Sequence, residues 1–108
     1  MTVSDLLKNE NFSSVTLPDG DRVIKDVYIG DLLSWVMGRA KSDDAWITIM
    51  SNVNILAVAS LADTACIILA EGVTVDESIK ATAIDKEINI ISTNLSIYEA
   101  AVILNGMI

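Results

Sequence analysis

The stretch from Ala45 to Leu69, AWITIMSNVNILAVASLADTACIIL, decides how this chain folds. Asp63 is its only charged residue, although the whole chain carries 15 acidic and 7 basic residues. Trp46 to Met50 and Cys66 to Leu69 are almost continuous apolar runs, which are typical of strands covered on both faces. Val53 to Ala62 between them is long enough for a helix and apolar nearly all round, which predicts burial on more than one side, either between the sheet and another helix or between two subunits. The stretch therefore predicts two parallel strands joined by a right-handed helical crossover.

The segments that follow repeat this alternation of helix and strand. Thr74 to Glu77 (TVDE) and Ser96 to Glu99 (SIYE) have the capping-box pattern, which predicts the start of a helix at each. Glu87 to Ser92 leads into a third apolar strand, and the last helix is predicted over Ile97 to Leu104, with a stop at Asn105-Gly106. This order, with its short loops, predicts a three-layer α/β/α fold with a mostly parallel sheet.

The chain before this unit is less regular. A capping box at Thr2 and Asp5 predicts a short helix to Asn9. Ser13 to Leu17 and Arg22 to Ile29 are predicted strands on either side of the turn PDGD, and they are placed to pair as a hairpin.

The next helix, LLSWVMGRA, is predicted to be capped by Asp31. An apolar stripe on it should face the sheet, and the stripe consists of Leu32, Leu33, Val36 and Met37. Trp35 points away from that stripe. It is either part of an interface with another molecule or covered by a neighbouring loop.

Composition narrows the classes of partner. The 108 residues suit one domain spanning the whole chain, and the net charge of −8 without any Lys or Arg block argues against nucleic acid. Polar residues interrupt every long apolar run, so no membrane-spanning segment is predicted. With Met1 present and no signal-like start, the expectation is a complete cytoplasmic protein.

The inventory of reactive residues is short. The chain has one cysteine and no histidine, which leaves no internal disulfide, no Cys/His zinc site and no Ser-His-Asp or Cys-His catalysis. It also lacks the Walker A, GxGxxG and GxSxG motifs. Cys66 lies in an apolar strand and is predicted to be a buried, unreactive thiol. We therefore expect neither enzymatic activity nor a cofactor or metal.

Polar residues follow each of the three predicted parallel strands. In open α/β sheets, ligands bind beyond the carboxyl ends of the strands. The residues there make a candidate site for a small polar ligand, and they are Ser51, Asn52, Glu71, Gly72, Thr93 and Asn94. The same residue types are ordinary helix caps and turn formers, which need no ligand to explain them.

Four segments also resemble a known family. They are VYIGDLLSWVMGRAKSDDAWITI, NILAVASLAD, CIILAEG and INIISTNLSIYEAAVILNGMI. Together they resemble the DRTGG domain family over residues 22 to 108 and the N-terminal helix. The resemblance implies the fold of the HPr kinase N-terminal domain. It also implies a regulatory role, like that of related domains in CBS-containing pyrophosphatases and phosphotransacetylases, and pairing as a homodimer.

The residues that name the family are mostly replaced here. The resemblance places Ser51-Asn52 where the family has Asp-Arg, and Ala70-Glu71-Gly72 where it has Thr-Gly-Gly. Only Gly72 is retained. Loss of the arginine removes a cation, so anion binding at these positions is weakened.

Two functional hypotheses follow. The first is a non-catalytic regulatory or interaction module that forms a homodimer, with Trp35 in the interface, or binds a partner protein. The second is a domain that senses a nucleotide or metabolite at the carboxyl ends of the strands.

Overall fold

The structure is a computed structural model that describes all residues from 1 to 108. Its elements are, in chain order, α1 (Val3–Leu6), β1 (Phe12–Thr16), β2 (Asp26–Ile29), α2 (Leu33–Arg39), β3 (Asp44–Thr48), α3 (Asn54–Ala62), β4 (Cys66–Leu69), α4 (Glu77–Asp85), β5 (Ile90–Thr93) and α5 (Ile97–Met107). The strands form one sheet in the order β1-β5-β4-β3-β2. All neighbours are parallel except β1, which runs antiparallel to β5. The predicted α/β fold with a mostly parallel sheet is confirmed.

Helices cover both faces of the sheet. Side chains alternate along each strand, so Ala45 and Ile47 of β3 face α1 and α5, whereas Trp46 faces α2, α3 and α4. Every residue of β3 and β4 is buried. Their continuous apolar sequence therefore reflects burial on both sides. None of the five helices combines the length and the apolar character needed to cross a membrane.

The predicted hairpin of the first two strands is wrong. β1 and β2 lie at opposite edges of the sheet, and β1 instead pairs with β5. The buried Asn89 side chain holds the turn after β1, since it accepts from the Asp19 N–H (3.0 Å) and donates to the Asp19 carbonyl (2.8 Å). The chain then runs on to Val23, which bridges Thr2 before β2 begins. Alternation alone could not reveal this separation, because a long connection and a hairpin have the same strand pattern.

The predicted role of Asp31 as the cap of α2 is also wrong. The residue before α2 is Leu32, which makes no capping hydrogen bond. Asp31 Oδ1 instead accepts from the Thr48 hydroxyl (2.8 Å) and the Ile49 N–H (3.0 Å). Of the predicted inward stripe, only Val36 is buried and Leu33 is half-buried, while Leu32 and Met37 are exposed. The reason is that α2 has only seven residues and lies beside α3, so only a narrow stripe faces inward.

Two of the three predicted capping boxes are confirmed. Thr2 with Asp5, and Ser96 with Glu99, each form both reciprocal hydrogen bonds. The box at Thr74 is wrong, because α4 begins at Glu77 after an extended residue that makes no side-chain cap. The predicted stop at Asn105-Gly106 is wrong as well. The last helix continues to Met107, since nothing packs within 4 Å of a Cβ placed at Gly106 and the helix can pass through it.

The helix α3 is less enclosed than its sequence predicts. Four of its residues are buried: Ile55, Leu56, Val58 and Ala59. Leu61, however, is 71% exposed, and Val53 just before the helix is 55% exposed. Within one chain the helix is covered by the sheet and by α2, while its outer face carries apolar side chains in contact with solvent. Burial of that outer face between two subunits stays a prediction.

Candidate functional site

A polar cavity of about 270 Å³ opens at the carboxyl ends of β4 and β5. We call it the strand-end cavity. Three segments line it: residues 10, 11 and 13 around the start of β1, residues 72–74 after β4, and residues 92–95 at the end of β5. The start of β1 reaches this position because β1 is antiparallel to β5, with Phe12 opposite Thr93.

Three of the six predicted ligand-site residues line this cavity. The Gly72 N–H donates to the Thr93 carbonyl at 2.9 Å, which joins the loop after β4 to the end of β5. The Thr93 side chain is buried, and its hydroxyl accepts from the Leu95 N–H at 3.1 Å. Asn94 is exposed, and its Oδ1 lies 3.0 Å from the position that a Cβ on Gly72 would occupy. Gly72, Thr93 and Asn94 are thus brought together.

The other three predicted residues lie outside the cavity lining. Ser51 and Asn52 are exposed in the loop between β3 and α3, where Asn52 Oδ1 accepts from the Asn54 N–H at 2.9 Å. That bond is a local turn interaction. Glu71 has a left-handed backbone (φ +59°), and its N–H donates to the Leu95 carbonyl at 2.9 Å. Its role in this geometry is to shape the loop.

The electrostatics of the cavity are acidic. Glu10 is the only charged residue in the lining. The two N–H groups that follow β4, those of Glu71 and Gly72, both donate to backbone carbonyls. A phosphate group would therefore meet no cation in the lining.

Sequence reasoning missed the residues that enter the cavity from the start of β1. Glu10, Asn11 and Ser13 precede or begin a strand whose neighbour could not be deduced from its own sequence. It also missed Thr74. Ser92 belongs to the predicted strand end Ser92-Thr93-Asn94, although it is not among the six candidate residues.

A second feature is a set of exposed apolar side chains on and next to α2 and α3. Trp35 is 55% exposed, as its predicted outward direction implies. The Arg39 guanidinium carbon lies 3.6 Å from the centroid of a Trp35 ring, in a cation–π arrangement. Because α2 packs beside α3, their exposed apolar side chains belong to one helical layer. We call this set the α2–α3 surface: Leu32, Trp35, Met37, Val53 and Leu61.

The one cysteine is inert in this setting. Cys66 is buried on the sheet face that packs against α1 and α5, as predicted. Burial raises the pKa of its thiol to about 12, although the charge of Arg22 opposes the shift. The thiolate, which is the reactive form, is therefore scarce at neutral pH.

Gly72→Ala should lower the free energy of unfolding by about 1 kcal/mol, because residue 72 has φ +71° and a Cβ there also displaces Asn94. Urea unfolding would measure the change. Gly106→Ala is the matched control, and it should raise stability by about 0.5 kcal/mol, because this helical glycine has open space around it. Equal effects from both variants would contradict the argument.

Comparison with known proteins identifies a matching family and a solved structure of similar fold. The family model of the DRTGG domain matches residues 17–107. The crystal structure of the CBS and DRTGG domains of the regulatory region of Clostridium perfringens pyrophosphatase, complexed with the activator diadenosine tetraphosphate, is similar in fold, with a TM-score of 0.72 at 15% sequence identity. That similarity covers 93% of this chain and 44% of the other. No curated protein sequence matches this chain. The chain belongs to the DRTGG domain family.

Proposed function

We propose that this chain is a non-catalytic regulatory and interaction module, a single domain over residues 1–108, that acts as a homodimer through the α2–α3 surface. The observation that carries the proposal is the group of exposed apolar side chains on α2 and α3. The family assignment supports the regulatory part, since the C. perfringens relative carries its DRTGG domain in a regulatory region.

The α2–α3 surface has the properties of an interface centre. Tryptophan and arginine are among the residue types that most often dominate binding energy at interfaces, and Trp35 is exposed with Arg39 stacked on its ring. Leu61 and Val53 supply apolar area on the neighbouring helix. A two-fold axis through one patch brings the same residues of both copies together, so a single surface suffices for a closed dimer.

Sedimentation velocity at micromolar concentration tests the proposal. We expect a dimer, because burying the exposed apolar side chains of both copies removes them from water. A chain that remains strictly monomeric over this concentration range would refute the homodimer.

Trp35→Ala should weaken the dimer about tenfold, because truncation of an aromatic anchor at an interface typically costs more than 1 kcal/mol. The stability of the monomer should change little, since the side chain is more than half exposed. The dimer dissociation constant and urea unfolding of the monomer measure the two effects separately.

The control for that variant is Tyr98→Ala. Tyr98 is also an exposed aromatic residue (76%), but it lies on α5, on the other side of the sheet. We expect this variant to leave the dimer constant unchanged. Dissociation by Tyr98→Ala but not by Trp35→Ala would move the interface to α5.

A second candidate function is the sensing of a small ligand, and the strand-end cavity favours it. The cavity brings Gly72, Thr93 and Asn94 together at the end of the sheet where α/β folds bind ligands. Thermal unfolding in the presence of a panel of nucleotides and metabolites tests it, because a ligand that binds only the folded state raises the midpoint. No shift across a broad panel would leave these residues as turn formers.

A further inference from the structure

We infer that the strand-end cavity binds an uncharged, hydroxyl-rich small molecule, such as the ribose of a nucleoside or a free monosaccharide, and disfavours phosphorylated ligands. The inference rests on the second candidate function, that the chain senses a small ligand, and it specifies the chemistry of that ligand. It does not require the homodimer.

Polar side chains without a partner in the chain surround the cavity. The hydroxyls of Ser13, Thr74 and Ser92 have no hydrogen-bond partner within the chain, and the same holds for the side chains of Glu10 and Asn94. Hydroxyls and an amide both donate and accept, as sugar hydroxyls do. Three protein segments thus present complementary groups towards one space.

The cavity also offers one carboxylate and two apolar side chains, which suit a sugar ring. A carboxylate is an acceptor only, and an acidic side chain that accepts from ribose hydroxyls is the usual way in which α/β folds hold a nucleoside sugar. Glu10 supplies that acceptor here. Val73 and Leu95 add half-buried apolar wall, against which the C–H groups of a sugar ring can pack.

The phosphate end of such a ligand has no cation to meet in the cavity. The lining contains no Lys or Arg. The Gly72 N–H is already bonded to the Thr93 carbonyl, so this lining donor is not free for an anion. The carboxylate of Glu10 and the net charge of −8 add repulsion.

An NMR titration of the ¹⁵N-labelled chain tests the inference with three probes, D-ribose, adenosine and AMP. We expect ribose and adenosine to give saturable shifts of the amides of Ser13, Gly72, Ser92 and Asn94. AMP should bind at least tenfold more weakly than adenosine, because its phosphate has no cation to meet.

Two variants and one control locate the binding. Glu10→Gln and Ser92→Ala should each weaken adenosine binding about tenfold, because each removes one polar contact from the cavity. Asn52→Ala is the control, since Asn52 lies at a strand end outside the cavity, and it should leave binding unchanged.

The outcomes separate the inference from the function on which it rests. If AMP binds the cavity more tightly than adenosine, the chain still senses a ligand, but the proposed ligand class is wrong. If none of the three probes shifts the cavity amides, the inference fails, and the wider thermal panel decides the sensing function independently. If Asn52→Ala weakens binding as much as Ser92→Ala does, the site lies elsewhere along the strand ends.

Discussion

Replacing Trp46 by alanine should lower the free energy of unfolding by about 4 kcal/mol, which is among the largest effects of a single truncation in a core. Trp46 is completely buried and lies in one apolar cluster with Val36, Ile55 and Ile67. Its indole Nε1–H also donates to the Gly30 carbonyl at 2.9 Å. The alanine variant therefore creates a large cavity and leaves a carbonyl without its partner.

Urea unfolding followed by circular dichroism measures this effect. Trp46→Phe is the matched control, because it keeps most of the ring volume and loses the indole donor. We expect it to cost about 1.5 kcal/mol. If both variants cost the same, the hydrogen bond rather than the packing dominates the role of Trp46. If alanine costs less than about 2 kcal/mol, the site relaxes around the cavity and the argument is wrong.

Trp46 also connects the core to the proposed interface. Gly30, whose carbonyl it binds, follows β2 and leads through Asp31 to α2, the helix that carries Trp35. Asp31 in turn is held by the end of β3 through Thr48 and the Ile49 N–H. The start of α2 is thus tied to β3 at two points, so we expect Trp46→Ala to weaken the homodimer as well as the fold.

The central part of the fold could be predicted because its burial is complete. Strands covered on both faces must be apolar at every position, and such runs are visible in a single sequence. β3 and β4 are of this kind, and their parallel pairing follows from the handedness of the crossover. β1 and β2 are edge strands with mixed burial, so their own residues do not identify their neighbours. The prediction that β1 and β2 pair as a hairpin is wrong for this reason.

Unknown strand neighbours also explain why only three of the six predicted site residues line the cavity. The strand-end rule selects an edge of the sheet, but it does not say which strands are adjacent. The order β5-β4-β3 places the loop after β3 two strands away from β5, about 10 Å across the sheet. Ser51 and Asn52 therefore do not share a cavity with Thr93 and Asn94. Glu10 enters it only because β1 pairs with β5, a non-local contact.

A network of charged side chains lies at the other end of the sheet, around Arg22. We expect its loss to have the second largest effect on the free energy of unfolding. Arg22 Nη2 lies 2.9 Å from Asp63 Oδ1 and 3.1 Å from Asp43 Oδ1, and it also donates to the Asp63 carbonyl. Lys25 pairs with Asp43 at 3.3 Å, and the Ser42 hydroxyl donates to Asp63 at 2.6 Å. Arg22 thereby joins the connection after β1 to the start of β3 and the end of α3.

Arg22→Met should lower the free energy of unfolding by about 2 kcal/mol at pH 7, because it removes several hydrogen bonds to charged groups while it keeps the apolar stem. The Arg22 and Asp43 side chains are each about three-quarters buried, although Asp63 is 60% exposed, so we expect the Arg22–Asp43 pair to stabilise the fold more than an ordinary surface ion pair does. Lys8→Met is the matched control. It breaks the exposed Lys8–Asp5 pair (3.3 Å) and should cost less than about 0.5 kcal/mol.

The pH dependence of the free energy of unfolding shows whether Arg22 stabilises the fold through its charge or through the packing of its apolar stem. Hydrogen bonds from Lys25 and then Arg22 lower the pKa of Asp43, and those from Ser42 and then Arg22 lower the pKa of Asp63, both from an ordinary value of 3.8. Because the folded pKa values are depressed, their stabilising contribution is complete above about pH 4 and is lost as the pH falls through them.

Without Arg22, both carboxyls should titrate closer to their unfolded values, so Arg22→Met should lose less stability than the parent chain on acidification. Urea unfolding of the two chains at pH 7, 4, 3 and 2.5 measures this difference. We expect the difference in free energy of unfolding between the parent chain and Arg22→Met to become steadily smaller below pH 4. A gap that stays constant down to pH 2.5 would mean that Arg22 stabilises the fold through its stem and its bond to the Asp63 carbonyl, and that the two carboxylates contribute little.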